Sequence, residues 1–156
     1  MSIQNAQEWN GAHRHFSAYC FNKVWEYIDK KNRSAEDDLA MLHSAITSFW
    51  HWAQREDRTP TNLSVGYWQV SYVFSLLGQA DLARRYAGLC REISEKLEPF
   101  YLGEANQALA SAEKAAGNRV KMVVHLKKAR EILDKLTDEK EKEALTRDLQ
   151  AVERNA

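Results

Sequence analysis

Apolar residues recur along this chain at intervals of three and four, and nowhere do they alternate one for one between turn residues. That spacing predicts helices throughout. Ala, Leu, Glu, Lys, Gln and Arg dominate, and only two prolines and six glycines interrupt the pattern. The expected fold class is therefore all-α.

Capping chemistry places the breaks. A first helix spans about residues 6–31 and ends in Lys30-Lys31-Asn32, with cations where the helix dipole is negative. Ser34 and Asp37 have capping-box spacing, and the acids Glu36, Asp37 and Asp38 suit the first turn of a second helix reaching about Asp57. Arg58-Thr59-Pro60-Thr61 reads as a loop, with Thr61 or Asn62 capping the third helix. Gly78 ends that helix, and Asp81 lies near the start of a fourth that runs to about Glu98. Pro99 opens a fifth ending at Gly117, and Asn118 caps a sixth reaching Leu136. Thr137 or Asp138, with Glu141, opens a final charged helix. About seven helices with short connections predict antiparallel hairpins in a single domain. Its parts are an aromatic-rich hairpin over 6–57, further hairpins over 62–137 and a capping helix over 138–154.

The first helix carries two apolar stripes, one of Phe16, Cys20, Val24 and Tyr27 and another of Phe21, Trp25 and Ile28. A surface helix needs only one. Either this helix is sandwiched within the fold, or its second stripe meets another copy of the chain in a homodimer.

Two stretches of the chain resemble each other around Gly78 and Gly117. Tyr67, Val70, Ser71 and Phe74 precede the first glycine, and Ala80, Ala83, Ala87 and Cys90 follow it. Asn106, Leu109, Ala110 and Glu113 precede the second, and Arg119, Met122, Leu126 and Ala129 follow it. This sequence of large residue, small residue, turn glycine and small residues resembles the tetratricopeptide-repeat family over roughly residues 62–137. The resemblance implies a right-handed array of helical hairpins that binds a protein or peptide on its concave face, with no catalytic residues of its own.

Charge narrows the partners. Lys plus Arg and Asp plus Glu each number 22, so the chain lacks the basic field on which nucleic-acid affinity depends. Cys20 and Cys90 are too far apart in sequence to form a metal knuckle, and read as small buried hydrophobes. The N-terminus shows no basic segment followed by an apolar one, and no run approaches a membrane span, so a cytoplasmic protein without membrane partners is expected.

All five Trp, six Tyr and five Phe lie at or before Tyr101, which places the expected recognition surface in the N-terminal half. There His15, Tyr19, Asn22 and Glu26 share one face of the first helix, and Ser44, Ser48, His51 and Arg55 share one face of the second. If the two rows converge, Trp50, Trp52, Trp68 and Tyr72 supply apolar walls and Asn62 stands at the mouth. Aromatic walls with a few polar groups describe a ligand or peptide pocket; equally, such polar atoms satisfy one another inside a core. No His-Glu-x-x-His motif, nucleophile elbow or phosphate loop is present, so no catalytic residue, metal ligand or cofactor is assigned. A pairing of His15 with His51 is the one route to a metal. The expected function is a non-catalytic scaffold for a protein or peptide. The alternative is a small-ligand binder or an enzyme, with or without a metal, using the aromatic and histidine cleft of helices one to three.

Overall fold

The computed structural model describes residues 3–154, so the reading of the extreme N-terminus at Met1 and Ser2 lies outside the described residues. The helices are α1 (Ile3–Ile28), α2 (Ala35–Gln54), α3 (Pro60–Leu76), α4 (Ala80–Ser94), α5 (Pro99–Ala115), α6 (Arg119–Leu133) and α7 (Glu139–Glu153). Among the described residues there is no strand. The fold is all-α.

Three hairpins form, α1 with α2, α3 with α4 and α5 with α6, and α7 packs on α5 and α6. Along one layer α3 touches α5 and α5 touches α7, whereas α2, α4 and α6 do not touch one another. Side chains bring α1 into the layer of odd-numbered helices. The Gln69 amide donates to the Phe21 carbonyl at 3.1 Å, and the rings of Trp25 and Trp68 lie 5.9 Å apart.

Most breaks follow the expected chemistry. Ser34 and Asp37 form a complete capping box, Asn118 caps α6 and Asp138 caps α7. At α3 the cap is Thr59, not Thr61 or Asn62. Pro60 takes the first helical position, where its missing N–H is no loss, and Asn62 closes the box from the third. Several helices end sooner than expected. After Ser94 the chain tightens, with Leu97 N–H bonding the Ser94 carbonyl at 3.1 Å, before Pro99 starts α5. Arg55 turns extended and ends α2, and α1 stops short of Lys30, which pairs with Asp37 at 2.7 Å.

Gly78 and Gly117 both take the left-handed conformation, with φ of 71° and 70°. Gln79 N–H reaches back to the Phe74 carbonyl, and Asn118 N–H to the Glu113 carbonyl, each at 2.9 Å. The same turn thus closes α3 and α5 at equivalent positions.

The core lies between the layers. Val24, Met41 and Val73 join α1, α2 and α3; Cys90, Ala105 and Leu109 fill the middle; Leu126, Leu145 and Leu149 close the C-terminal end. Small residues set the spacing. Ser71 Oγ donates to the Ala83 carbonyl at 2.9 Å, and a Cβ at Gly103 would stand 2.7 Å from a Leu145 methyl. Both apolar stripes of α1 have partners within the chain, Val24 against the core and Trp25 against Trp68, while Phe16 and Tyr19 at its outer side are exposed. No helix of the described residues is long and apolar enough to cross a membrane.

Candidate functional site

Three depressions adjoin one another along α3 and together make a groove, walled mainly by the odd-numbered helices. Its middle is a depression of about 160 Å³ built by four helices: Trp25 of α1, Ser64, Val65 and Trp68 of α3, Phe100, Tyr101 and Glu104 of α5, and Ala144, Arg147 and Asp148 of α7. Val65 also lines a second depression of about 190 Å³, shared with Phe21, Asn22, Trp52 and Asn62. In the other direction Trp68 stacks on Tyr72, with centroids 5.6 Å apart and planes 13° from parallel. Tyr72 opens a third depression of about 340 Å³, walled by Leu76, Lys114 and Val152.

Four of the polar side chains lining the middle depression, those of Ser64, Trp68, Arg147 and Asp148, have partners within the chain. Trp68 Nε1–H donates to Gln107 Oε1 at 2.9 Å, which holds the indole so that its ring faces the groove. Ser94 donates its proton to the Cys90 carbonyl at 2.7 Å, so the Ser64 hydroxyl, 2.8 Å from Ser94 Oγ, donates to Ser94. Arg147 binds both carboxylate oxygens of its neighbour Asp148, at 3.0 and 3.3 Å.

Glu104 differs from them in being buried without a partner. The residue is 8% exposed, and neither carboxyl oxygen has a hydrogen-bond partner. Burial first, and the Asp148 charge second, push its carboxyl up to about 8, against the opposing pull of Arg147. Buried acids displaced this far gather at working sites, which makes Glu104 the candidate on which the depression centres.

The residues expected from the sequence divide between this groove and the α1–α2 surface. Asn22, Trp52, Asn62, Trp68 and Tyr72 lie along the groove. His15 and Tyr19 lie outside it, stacked on each other at 5.8 Å and 11° on the exposed side of α1. Trp50 is 53% exposed and packs on His13 and His51. Arg55 lies 3.9 Å over the Trp52 ring, donates to Ser17 Oγ at 3.2 Å and pairs with Asp57.

His51 meets His13, not His15, with the two Nδ1 atoms 2.9 Å apart, so one ring donates and the other accepts. Burial and then the neighbouring His13 lower the His51 pKa. Among the described residues no three His, Cys, Asp or Glu side chains are grouped to hold a metal. Sequence reasoning missed Trp25, Phe100, Tyr101, Glu104 and Arg147 as site residues. One signal was present: Glu104 is the only charged residue between Pro99 and Ala112.

Comparison with protein-family models, curated proteins and solved structures returns no match.

Proposed function

We propose that the protein is a non-catalytic binding scaffold that takes a peptide or an extended protein segment along the α3 groove. The observation that carries this reading is the continuity of the groove. Its middle depression draws on α1, α3, α5 and α7, and shared residues or stacked rings connect it to a depression on either side. A small-molecule site surrounds most of its ligand in one place; an extended segment needs successive subsites on a fixed surface, walled by aromatic anchors. Recurrence of the Gly78 turn at Gly117 supports a tetratricopeptide-like array, the kind of framework that supplies such a surface.

The test is selection from a random peptide library, followed by amide exchange of the complex. Binders are expected to protect α3 and α5 and to quench Trp fluorescence. Protection confined to the outer helices α4 and α6 would sink the reading.

A further inference from the structure

We propose that the middle depression is a subsite for an alkylated ammonium ion, with Glu104 as counter-charge and the rings of Trp25, Trp68, Phe100 and Tyr101 as walls. This rests on the peptide-binding reading above and sharpens it, since the bound segment would carry the cation as a lysine-type side chain.

The argument starts from what Glu104 lacks. A buried carboxyl with no donor is costly in either protonation state, and a cation is the partner that relieves the charged one. The chain does not supply it here, because the guanidinium of Arg147 is engaged with Asp148. Ser64 and the Trp68 N–H are also committed elsewhere, and the faces of four aromatic rings line the space around the carboxyl. Aromatic faces attract cations, and do so most where water is excluded.

Other cations fit the donor set less well. A divalent metal requires several oxygens, and Glu104 offers only two while Asp148 is occupied by Arg147. A guanidinium carries five donors in one plane, which a lone carboxylate leaves mostly unsatisfied. An alkylated ammonium has few or no N–H groups and presents methyl groups to the rings. The depression, at about 160 Å³, is also the right scale. An apolar cavity of ~150 Å³ admits benzene, and a trimethylammonium head is of similar bulk.

Binding should be linked to one proton. The ionisable groups facing Glu104 are Asp148 and Arg147 from α7, Tyr101 on α5 and Cys90 from α4, while α1 and α3 contribute Trp25, Trp68 and Ser64, which do not titrate. Cys90 is pushed up to about 11 and Tyr101 is raised by burial, so neither changes charge near neutrality. Glu104 gives up its proton when the cation arrives. Affinity should therefore rise about tenfold per pH unit from 6 towards 8 and level off above.

Calorimetric titration tests this with three short peptides, identical except for a central trimethyllysine, lysine or norleucine, and with butyltrimethylammonium chloride alone. The parent chain is compared with Glu104→Gln and Trp25→Leu, each checked for folding by circular dichroism. The trimethyllysine peptide should bind at least tenfold more tightly than the norleucine peptide. Glu104→Gln should remove that preference together with the pH dependence, and Trp25→Leu should weaken the cation while remaining folded. Equal binding of all three peptides, unaffected by Glu104→Gln, would overturn the subsite and leave the peptide groove standing. Binding of butyltrimethylammonium with no peptide binding would keep the subsite and remove the peptide reading. A flat pH profile for the trimethyllysine peptide overturns the role of Glu104.

Discussion

A carboxyl that titrates near 8 in the fold and near 4.5 in the unfolded chain ties stability to pH in a fixed direction. Between those values the folded chain holds a proton that the unfolded chain has released. Stability from Glu104 is therefore fully present below pH 4.5 and is lost as pH rises through about 8. Glu104→Gln, close in shape to the protonated acid, should raise stability at pH 8.5 by about 2–4 kcal/mol and change little at pH 4.5. Urea melts at the two pH values check this; a variant less stable at pH 8.5 would mean that Arg147 turns inward and pairs with Glu104 in solution. His51 acts in the opposite sense. Its pKa is lowered in the fold, so its contribution is complete above pH 6.5 and is lost as pH falls through the depressed value. His51→Phe should therefore flatten the acid limb of the stability profile, read from melting temperature between pH 5 and 7.

At the scale of the helix, small residues and caps decide where elements stop and how closely they approach. Gly78 holds a φ of 71°. Gly78→Val forces a β-branched side chain into that conformation and should cost about 1 kcal/mol or more in urea melts. Gly103→Val acts between elements instead, driving side-chain atoms into the Leu145 methyl 2.7 Å from its ideal Cβ. Overpacking of this kind costs about 1–3 kcal/mol, and unchanged stability would mean that α7 is free to shift away from α5. These features also mark what the sequence reveals. Ser34 with Asp37, Gly78, Gly117 and Asn118 were legible because each acts on backbone within a few residues of itself. Thr59 was obscured because Pro60 reads as part of a loop, although at the first helical position it forfeits no hydrogen bond. The polar row containing Ser48, His51 and Arg55 was legible as one face of α2, yet the residue opposite His51 depends on how α1 and α2 slide past each other. That register puts His13 there and leaves His15 outside. Glu104 was visible as a lone charge, but its significance depends on α1, α3 and α7 closing round it, which no local pattern encodes.

Across the whole molecule, α5 occupies the centre and α7 closes the structure. Leu145, Leu149 and Val152 of α7 are buried against α5 and α6, and Lys114 of α5 donates to the carbonyls of Val152 and Arg154. Removing residues 137–156 should therefore cost about 5 kcal/mol, from three apolar side chains at about 1.5–3 kcal/mol each. It should also broaden the urea transition and open the middle depression to water; an unchanged midpoint would show that α7 is an ornament to the fold. The surroundings of α5 are more demanding still. From Gly103 to Glu113 all eleven consecutive residues are buried, acids and amides among them, so this helix has no solvent side. A helix with an open face can drift, since half its positions tolerate exchange between one polar residue and another. Here most positions are constrained separately, by volume at Gly103 and Ala108 and by a named bond at Gln107 and Glu113, with Glu104 set apart by its unpaired carboxyl. Over evolutionary time that stretch should change slowly, while the exposed rings of Trp9, Phe16, Tyr19 and Trp50 outside the groove vary. Distant kin of this chain would then be recognised by eleven unremarkable letters rather than by its exposed aromatic rings.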